Sequence, residues 1–295
     1  MNAPTRPVVR WHGGKFRLAP WIISHMPPHE AYTEAFGGAA SVLLQKARSR
    51  IEIYNDLDID IVNLFRVLRD PNDAARLIKL LELTPFSRVE FAESLEPCED
   101  IIEQSRRVVV RAFMGFGSNA CASISRGELT TGFRGLSRQS TKQPANDWAT
   151  HAEALWAVVE RMRGVTIENA DARDILADHD SKTTLHYVDP PYLPEVRESG
   201  SKVGRMYRRY RHELGAPGHQ TLIEALRGLK GMVLLSGYRS DIYETMLTGW
   251  KRFDTTTFAD GARKRVESLW LNPRAQIELI RYRCGHDMPL FEVKR

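Results

Sequence analysis

Ala31-Tyr32-Thr33-Glu34-Ala35-Phe36-Gly37-Gly38-Ala39-Ala40, followed by Ile51-Glu52-Ile53-Tyr54-Asn55-Asp56, is the stretch that decides the fold. A short run of β-formers breaks on paired glycines. A helical pattern over residues 41–48 follows, with Val42, Leu43 and Leu44 apolar, and then a second strand leads to a second helical pattern over 59–68. A strand-helix-strand-helix beginning calls for a parallel sheet. Upstream, residues 15–25 read as a helix with Leu18, Trp21, Ile22 and Met26 on one face, stopped by Pro27-Pro28.

Past Pro71 the pattern turns to helices at 74–83, 87–94 and 100–113, and then to a Gly-, Ser- and Thr-rich stretch over 115–135 that suits a hairpin or irregular loop. Alternation then returns, with helices expected at 148–162, 173–177, 218–226 and 240–247. Strands are expected at 165–168, 185–188, 232–235, 251–258 and 266–271. The expected fold is therefore α/β, a mostly parallel sheet with helices on both faces. Residues 1–70 and 146–295 build it, and a mainly helical insertion over 71–145 interrupts it.

The chain has 295 residues and a net charge of +5, and its three cysteines (Cys98, Cys121, Cys284) are odd in number and scattered. Neither a disulfide framework nor a metal site is expected, and a reducing cytoplasm fits. Residues 1–7 lack a signal-peptide core, and no apolar run nears the roughly 20 residues that span a bilayer, so no membrane partner is expected. Charge concentrates in two segments: seven Arg or Lys against two acids over 101–142, and six against two over 195–212. Such segments suit a polyanion, although each is also what a solvated surface looks like.

The glycine turn lets backbone approach a ligand, and Asp56 closes the second strand 19 residues after Gly37, where a carboxylate accepts ribose hydroxyls. No Gly-Lys-Ser/Thr ending follows, and Glu34 would repel a pyrophosphate. A cationic cofactor such as S-adenosylmethionine fits acidic strand ends better than a nucleoside triphosphate.

Asp189-Pro190-Pro191-Tyr192 follows the apolar His186-Tyr187-Val188 and so falls at the carboxyl edge of a strand, where open α/β sheets bind ligands. An amine on an aromatic ring is a poor nucleophile because its lone pair is delocalised. The Asp189 carboxylate and the Pro190 carbonyl can each accept one N–H and draw the pair back onto nitrogen, while the prolines fix φ and remove competing donors. Tyr192 offers a face for a base taken out of a duplex.

With these pieces the chain resembles the DNA adenine methyltransferase family in which target recognition lies between the cofactor motif and the catalytic motif. Arg10-Trp11-His12-Gly13-Gly14-Lys15 looks like its N-terminal cofactor motif, which points to Trp11 and Lys15 as cofactor contacts. Residues 34–40 resemble its Phe-x-Gly-x-Gly motif, pointing to Phe36 and Gly38 beside Glu34, but depart from it at Ala40, where the family usually has a second glycine. Asn55-Asp56 is similar to the ribose-binding acid. Asn169-Ala170-Asp171 is similar to the residues that meet the cofactor's adenine, with Asp174 a competing candidate. Residues 233–236 and 267–272 look like remaining core strands.

The resemblance implies methyl transfer from S-adenosylmethionine, leaving S-adenosylhomocysteine, to N6 of an adenine flipped out of double-stranded DNA, by a monomer or homodimer. Asp at the first position of the tetrapeptide is associated with adenine, Ser with cytosine N4. It also assigns DNA contacts to Arg111, Asn119, Arg126, Arg134 and Arg138 in the insertion, and the basic segment adds Arg205, Arg208 and Arg209. Two readings compete: the same fold acting on cytosine N4 or RNA, and a DNA-binding protein with a degenerate cofactor site, which Ala40 alone motivates.

Overall fold

The computed structural model describes residues 4–117, 132–135, 143–193, 211–259 and 263–287. Its centre is a seven-stranded sheet of β1 (Ala31–Glu34), β2 (Ile51–Asn55), β3 (Val165–Glu168), β4 (Thr184–Val188), β5 (Met232–Gly237), β6 (Lys251–Ala259) and β7 (Arg263–Leu271), in the order β3-β2-β1-β4-β5-β7-β6. The first five pair in parallel. β7 runs antiparallel to both β5 and β6. In register Glu34 lies opposite both Tyr54 and Tyr187, so β1, β2 and β4 end level with one another. That alignment brings Glu34, Asp56 and Asp189 to one edge.

Every residue of β1, β4 and β5 is buried, as central parallel strands covered on both faces must be. Side chains alternate between two cores. Leu185, Tyr187 and Leu234 join the larger one, and Val188, Val233 and Leu235 the smaller one. The larger face is covered by α2 (Ile59–Arg69), α3 (Pro71–Leu83), α5 (Ile101–Met114) and α7 (His151–Met162). The other carries α8 (Ala172–Asp178), α9 (Ala216–Gly228) and α10 (Asp241–Met246). Asp58, Asp70 and Asp100 cap α2, α3 and α5 by accepting first-turn N–H groups. The short helices α1 (Ala19–Ile23), α4 (Arg88–Glu93) and α6 (Pro144–Ala149) and the C-terminal α11 (Pro273–Asp287) complete the helices among the described residues.

Four expectations change. Residues 41–48 form successive turns with no regular α-helix: the Leu44 and Lys46 N–H groups donate to the carbonyls of Ala40 and Val42, the Gln45 N–H to the Val42 carbonyl only three residues back, and the Leu43 N–H to the buried Glu34 Oε2 at 2.7 Å. The helix expected over 15–25 is confined to α1, Lys15 contributing only its carbonyl, which accepts from the N–H groups of Leu18 and Ala19. Residues 148–162 divide at Thr150 into α6 and α7. The fourth is α11, which carries too weak an apolar pattern to be read from sequence. Of the stretch 115–135, the described ends meet: Gly115 bridges Phe133 antiparallel and the Phe116 N–H donates to the Gly132 carbonyl, while 118–131 lie outside the described residues.

α3 and α5, which lie within the stretch read as an insertion, pack on α2 and α7 inside the larger core.

Candidate active site

The carboxyl edge of the sheet opens into a pocket whose wall includes Trp11, Lys15, Glu34, Phe36, Gly38, Asp56, Asp58, Ala172, Asp189, Pro190, Pro191 and Arg211. Each part follows from local chemistry. At the end of β1 the Gly37 N–H donates to the Asn55 carbonyl at 2.7 Å, drawing the turn against β2. A Cβ at Gly37 would lie 2.2 Å from the Tyr54 ring, and one at Gly38, whose φ is +46°, would lie 2.8 Å from the Trp11 indole. Both positions therefore require glycine. Ala40, at the family's second glycine position, is fully buried with φ 51°, the left-handed conformation a glycine would take there.

Asp56 binds its own loop. Its carboxylate accepts from the Gly38 N–H at 2.7 Å and the Asp58 N–H at 2.8 Å. Burial pushes it up to about 6, against the pull of those two N–H groups. Asn55 ties the strand ends together, donating to the carbonyls of Ala35 and Ala170 and accepting from the Ala170 N–H. Glu34 accepts from the Tyr32 hydroxyl and the Leu43 N–H, both at 2.7 Å, and burial raises it to about 7. Carboxylates raised by desolvation are stabilised in their charged form by an incoming cation.

Asp189 has two unlike oxygens. Oδ2 pairs with the Lys15 ammonium at 2.9 Å, whereas Oδ1 is buried with no hydrogen-bond partner among the described residues. Burial holds its carboxyl above the usual range, and the Lys15 charge acts in the opposite sense. Lys15 also donates to the Gly13 carbonyl at 2.8 Å and stands 4.6 Å above the centre of the Tyr192 ring. The Tyr192 hydroxyl donates to Glu267 at 2.8 Å, and its ring meets Tyr238 edge-on with centroids 4.6 Å apart. Tyr192 is thus a buried ring with a cation over it, not the open stacking face the sequence suggested.

Asp171 is half-exposed beside Ala172, which lines the pocket, and its carboxylate accepts from the Arg173 backbone N–H at 2.8 Å and from the Arg173 guanidinium at 2.9 and 2.8 Å; Asp174 is exposed. Arg111 is completely buried, donating to the Ser94 carbonyl at 2.6 Å and pairing with Asp60 at 3.3 Å, so it is a core residue and not a DNA contact. Arg111→Met is expected to lower unfolding stability by about 3 kcal/mol, because it breaks a buried ion pair. DNA affinity and its salt dependence should stay unchanged. A variant of normal stability in denaturant titration but weakened DNA binding would return Arg111 to the interface.

Arg134 is half-exposed next to the bridge between Gly115 and Phe133, its N–H donating to the Met114 carbonyl. Asn119, Arg126, Arg138, Arg205, Arg208 and Arg209 lie outside the described residues. The residues overlooked in the sequence are Asp58, Arg211 and Glu267. Arg211 bridges Asp58 at 2.7 Å and Asp60 at 2.8 Å on the pocket rim. The alternation Asp56-Leu57-Asp58-Ile59-Asp60 was the available signal for that cluster, and nothing in sequence marks Glu267 as the partner of Tyr192.

A family model described as D12 class N6 adenine-specific DNA methyltransferase matches residues 11–233, from the Trp11 motif through the tetrapeptide into β5. The chain belongs to this family. Membership agrees with the mostly parallel α/β sheet and with the site at its carboxyl edge, and a methyltransferase family implies a methyl donor. The chain is 29% identical over 197 residues to the DNA adenine methylase of Escherichia coli K12 and 28% identical over 196 residues to that of Salmonella typhi, in each case over 64% of this chain and 66% of the relative. It is 26% identical over 208 residues to the DNA adenine methylase of Haemophilus influenzae, over 66% of each chain. The matched part thus spans just under two thirds of these relatives. Among the described residues no helix is long and apolar enough to cross a membrane.

Proposed function

We propose that this protein methylates N6 of adenine in double-stranded DNA, using S-adenosylmethionine, as a monomer or homodimer in the cytoplasm. The observation that carries the reading is the buried Asp189 Oδ1, which has no hydrogen-bond donor among the described residues, on the first residue of the family catalytic motif and in the wall of the pocket. A buried acceptor left unmatched is costly, and a substrate N–H removes the cost.

The pocket fits the donor. Glu34, Asp56 and Asp58 bring carboxylates to its wall, and the Gly37-Gly38 turn lets the Tyr54 ring and the Trp11 indole pack directly against its backbone. Trp11, Lys15, Glu34, Phe36, Gly38, Asp56, Asp171 and Asp189 are the residues proposed to hold it, Asp171 after exchanging its half-exposed pair with Arg173 for the ligand. S-adenosylmethionine supplies an electrophilic methyl on a sulfonium. The protein's own work is to present the amine: Asp189 Oδ1 accepts one N–H, the Pro190 carbonyl accepts the other, and the lone pair is localised toward the cofactor side. A base that stacks on the Tyr192 face under Lys15 must displace the ammonium from above the ring, while the Lys15 pair with Asp189 Oδ2 leaves Oδ1 for the substrate.

Residues 1–70 and 146–295 are proposed as the catalytic part and 71–145 as the part that recognises the target. Since α3 and α5 belong to the shared core, the contacts to DNA fall beyond α5, at Asn119, Arg126, Arg134 and Arg138, with Arg205, Arg208 and Arg209 meeting phosphates. The reading as a degenerate binding protein rested on Ala40, and the left-handed Ala40 backbone removes that support.

The test is transfer of labelled methyl to duplex DNA, followed by digestion and identification of the modified nucleoside. N6-methyladenine is expected. Label in N4-methylcytosine, label in RNA only, or no transfer would each overturn the proposal.

A further inference from the structure

His219 lies in the first turn of α9, buried, and outside every motif that marks the site. Its Nε2 is 2.9 Å from the Pro191 carbonyl, and its Nδ1 is 3.0 Å from the Tyr243 hydroxyl on α10. A carbonyl only accepts, so Nε2 carries the hydrogen and donates it. In the neutral ring Nδ1 then accepts the Tyr243 O–H, which assigns the tautomer from the network.

The far end of this chain is rigid. Tyr243 stands edge-on to Trp270 of β7 with centroids 5.1 Å apart, and a Cβ at Gly237 of β5 would approach its ring to 2.8 Å. Strands β5 and β7 therefore hold Tyr243, Tyr243 orients His219, and His219 holds the Pro191 carbonyl.

The consequence is set by backbone geometry. The Pro190 carbonyl belongs to the peptide plane between Pro190 and Pro191, and the next plane carries the Pro191 carbonyl. Pro191 joins the two planes through φ, locked by its ring, and ψ, which is free. A hydrogen bond that pins the Pro191 carbonyl fixes that ψ. With it is fixed the direction in which the Pro190 carbonyl points, and so is the backbone from which Tyr192 departs.

We propose that His219, oriented by Tyr243, is a positioning residue that aims the Pro190 carbonyl at the substrate amine. This rests on the reading of Asp189 to Tyr192 as the amine-binding motif. In this role His219 acts through the Pro191 carbonyl and not by touching the substrate or the cofactor.

The test uses the full-length protein and three variants: His219→Leu, which removes the donor; His219→Gln, whose side-chain amide can restore an N–H near the Nε2 position; and Tyr243→Phe, which removes only the orienting hydroxyl. The readouts are the single-turnover methylation rate on duplex DNA, the dissociation constants for S-adenosylmethionine and DNA, and thermal melting. A carbonyl misaimed by about an ångström costs on the order of 100-fold in rate. His219→Leu is expected to lose about that much with both dissociation constants within about threefold of wild type, His219→Gln to recover roughly tenfold of the loss, and Tyr243→Phe to fall between Gln and wild type.

A folded His219→Leu with a wild-type rate overturns the proposal. So does equal loss in the Leu and Gln variants, or a loss in dissociation constants that accounts for the whole effect. If Leu fails to fold, the Gln and Phe variants decide, since a structural role predicts melting changes with an unchanged single-turnover rate. Wild-type protein that transfers no methyl sinks the functional reading instead, which separates the two failures.

Discussion

Asp189→Ala is expected to lower the single-turnover methylation rate by about 10³-fold or more while S-adenosylmethionine still binds within about tenfold of wild type. The variant removes the one buried anionic acceptor whose Oδ1 has no partner among the described residues, and loss of a single preorganised hydrogen-bonding group at a reacting atom costs about 10² to 10³. The ion pair adds a further effect, because Lys15 loses the carboxylate 2.9 Å from its ammonium. The pH dependence follows from the direction of the Asp189 shift. Burial holds its carboxyl above the usual carboxylate range, and only the ionised form accepts both as a charge and as a lone pair. The wild-type rate should therefore fall as pH drops through that raised value, earlier than an ordinary aspartate would dictate. The residual rate of Asp189→Ala should lack that acid limb. Near-normal turnover in Asp189→Ala would end the mechanism.

Gly38→Val is expected to abolish measurable cofactor binding and to cost about 2 to 5 kcal/mol of stability. Two penalties combine. A β-branched residue at φ +46° bears the left-handed cost of about 1–2 kcal/mol, and its Cβ, 2.8 Å from the Trp11 indole, forces a displacement that overpacking data place at about 1–3 kcal/mol. Moving the indole shifts a wall of the pocket, and the Gly38 N–H that holds Asp56 moves with it. Calorimetric titration and denaturant unfolding read the two effects separately. A valine variant that binds S-adenosylmethionine normally would remove the glycine turn from the cofactor site.

What was legible in the sequence has a common cause. Short β-forming runs bounded by turn residues placed β1, β2, β4 and β5 to within a residue or two, and the carboxyl ends of β1, β2 and β4 located Glu34, Asp56 and Asp189. Where a long-range partner decides, local pattern fails. Residues 41–48 have helical periodicity, yet the chain there closes only into turns, anchored to the preceding strand by the Leu43 N–H on the Glu34 carboxylate. Arg111 was counted as surface charge because composition cannot reveal Asp60 and the Ser94 carbonyl waiting in the core. His219 has no sequence signature, since its importance comes from a carbonyl 28 positions away.

Ala40 shows the same distinction from the other side. Written as letters, the loop lacks its second glycine, and a pattern search that demands the letter passes over it. Written as dihedrals it is complete, because the surrounding core holds an alanine at φ 51°. In this loop the torsion angle and not the residue type is what the turn requires, so a further substitution at position 40 is judged by whether the new residue can hold φ near 51°.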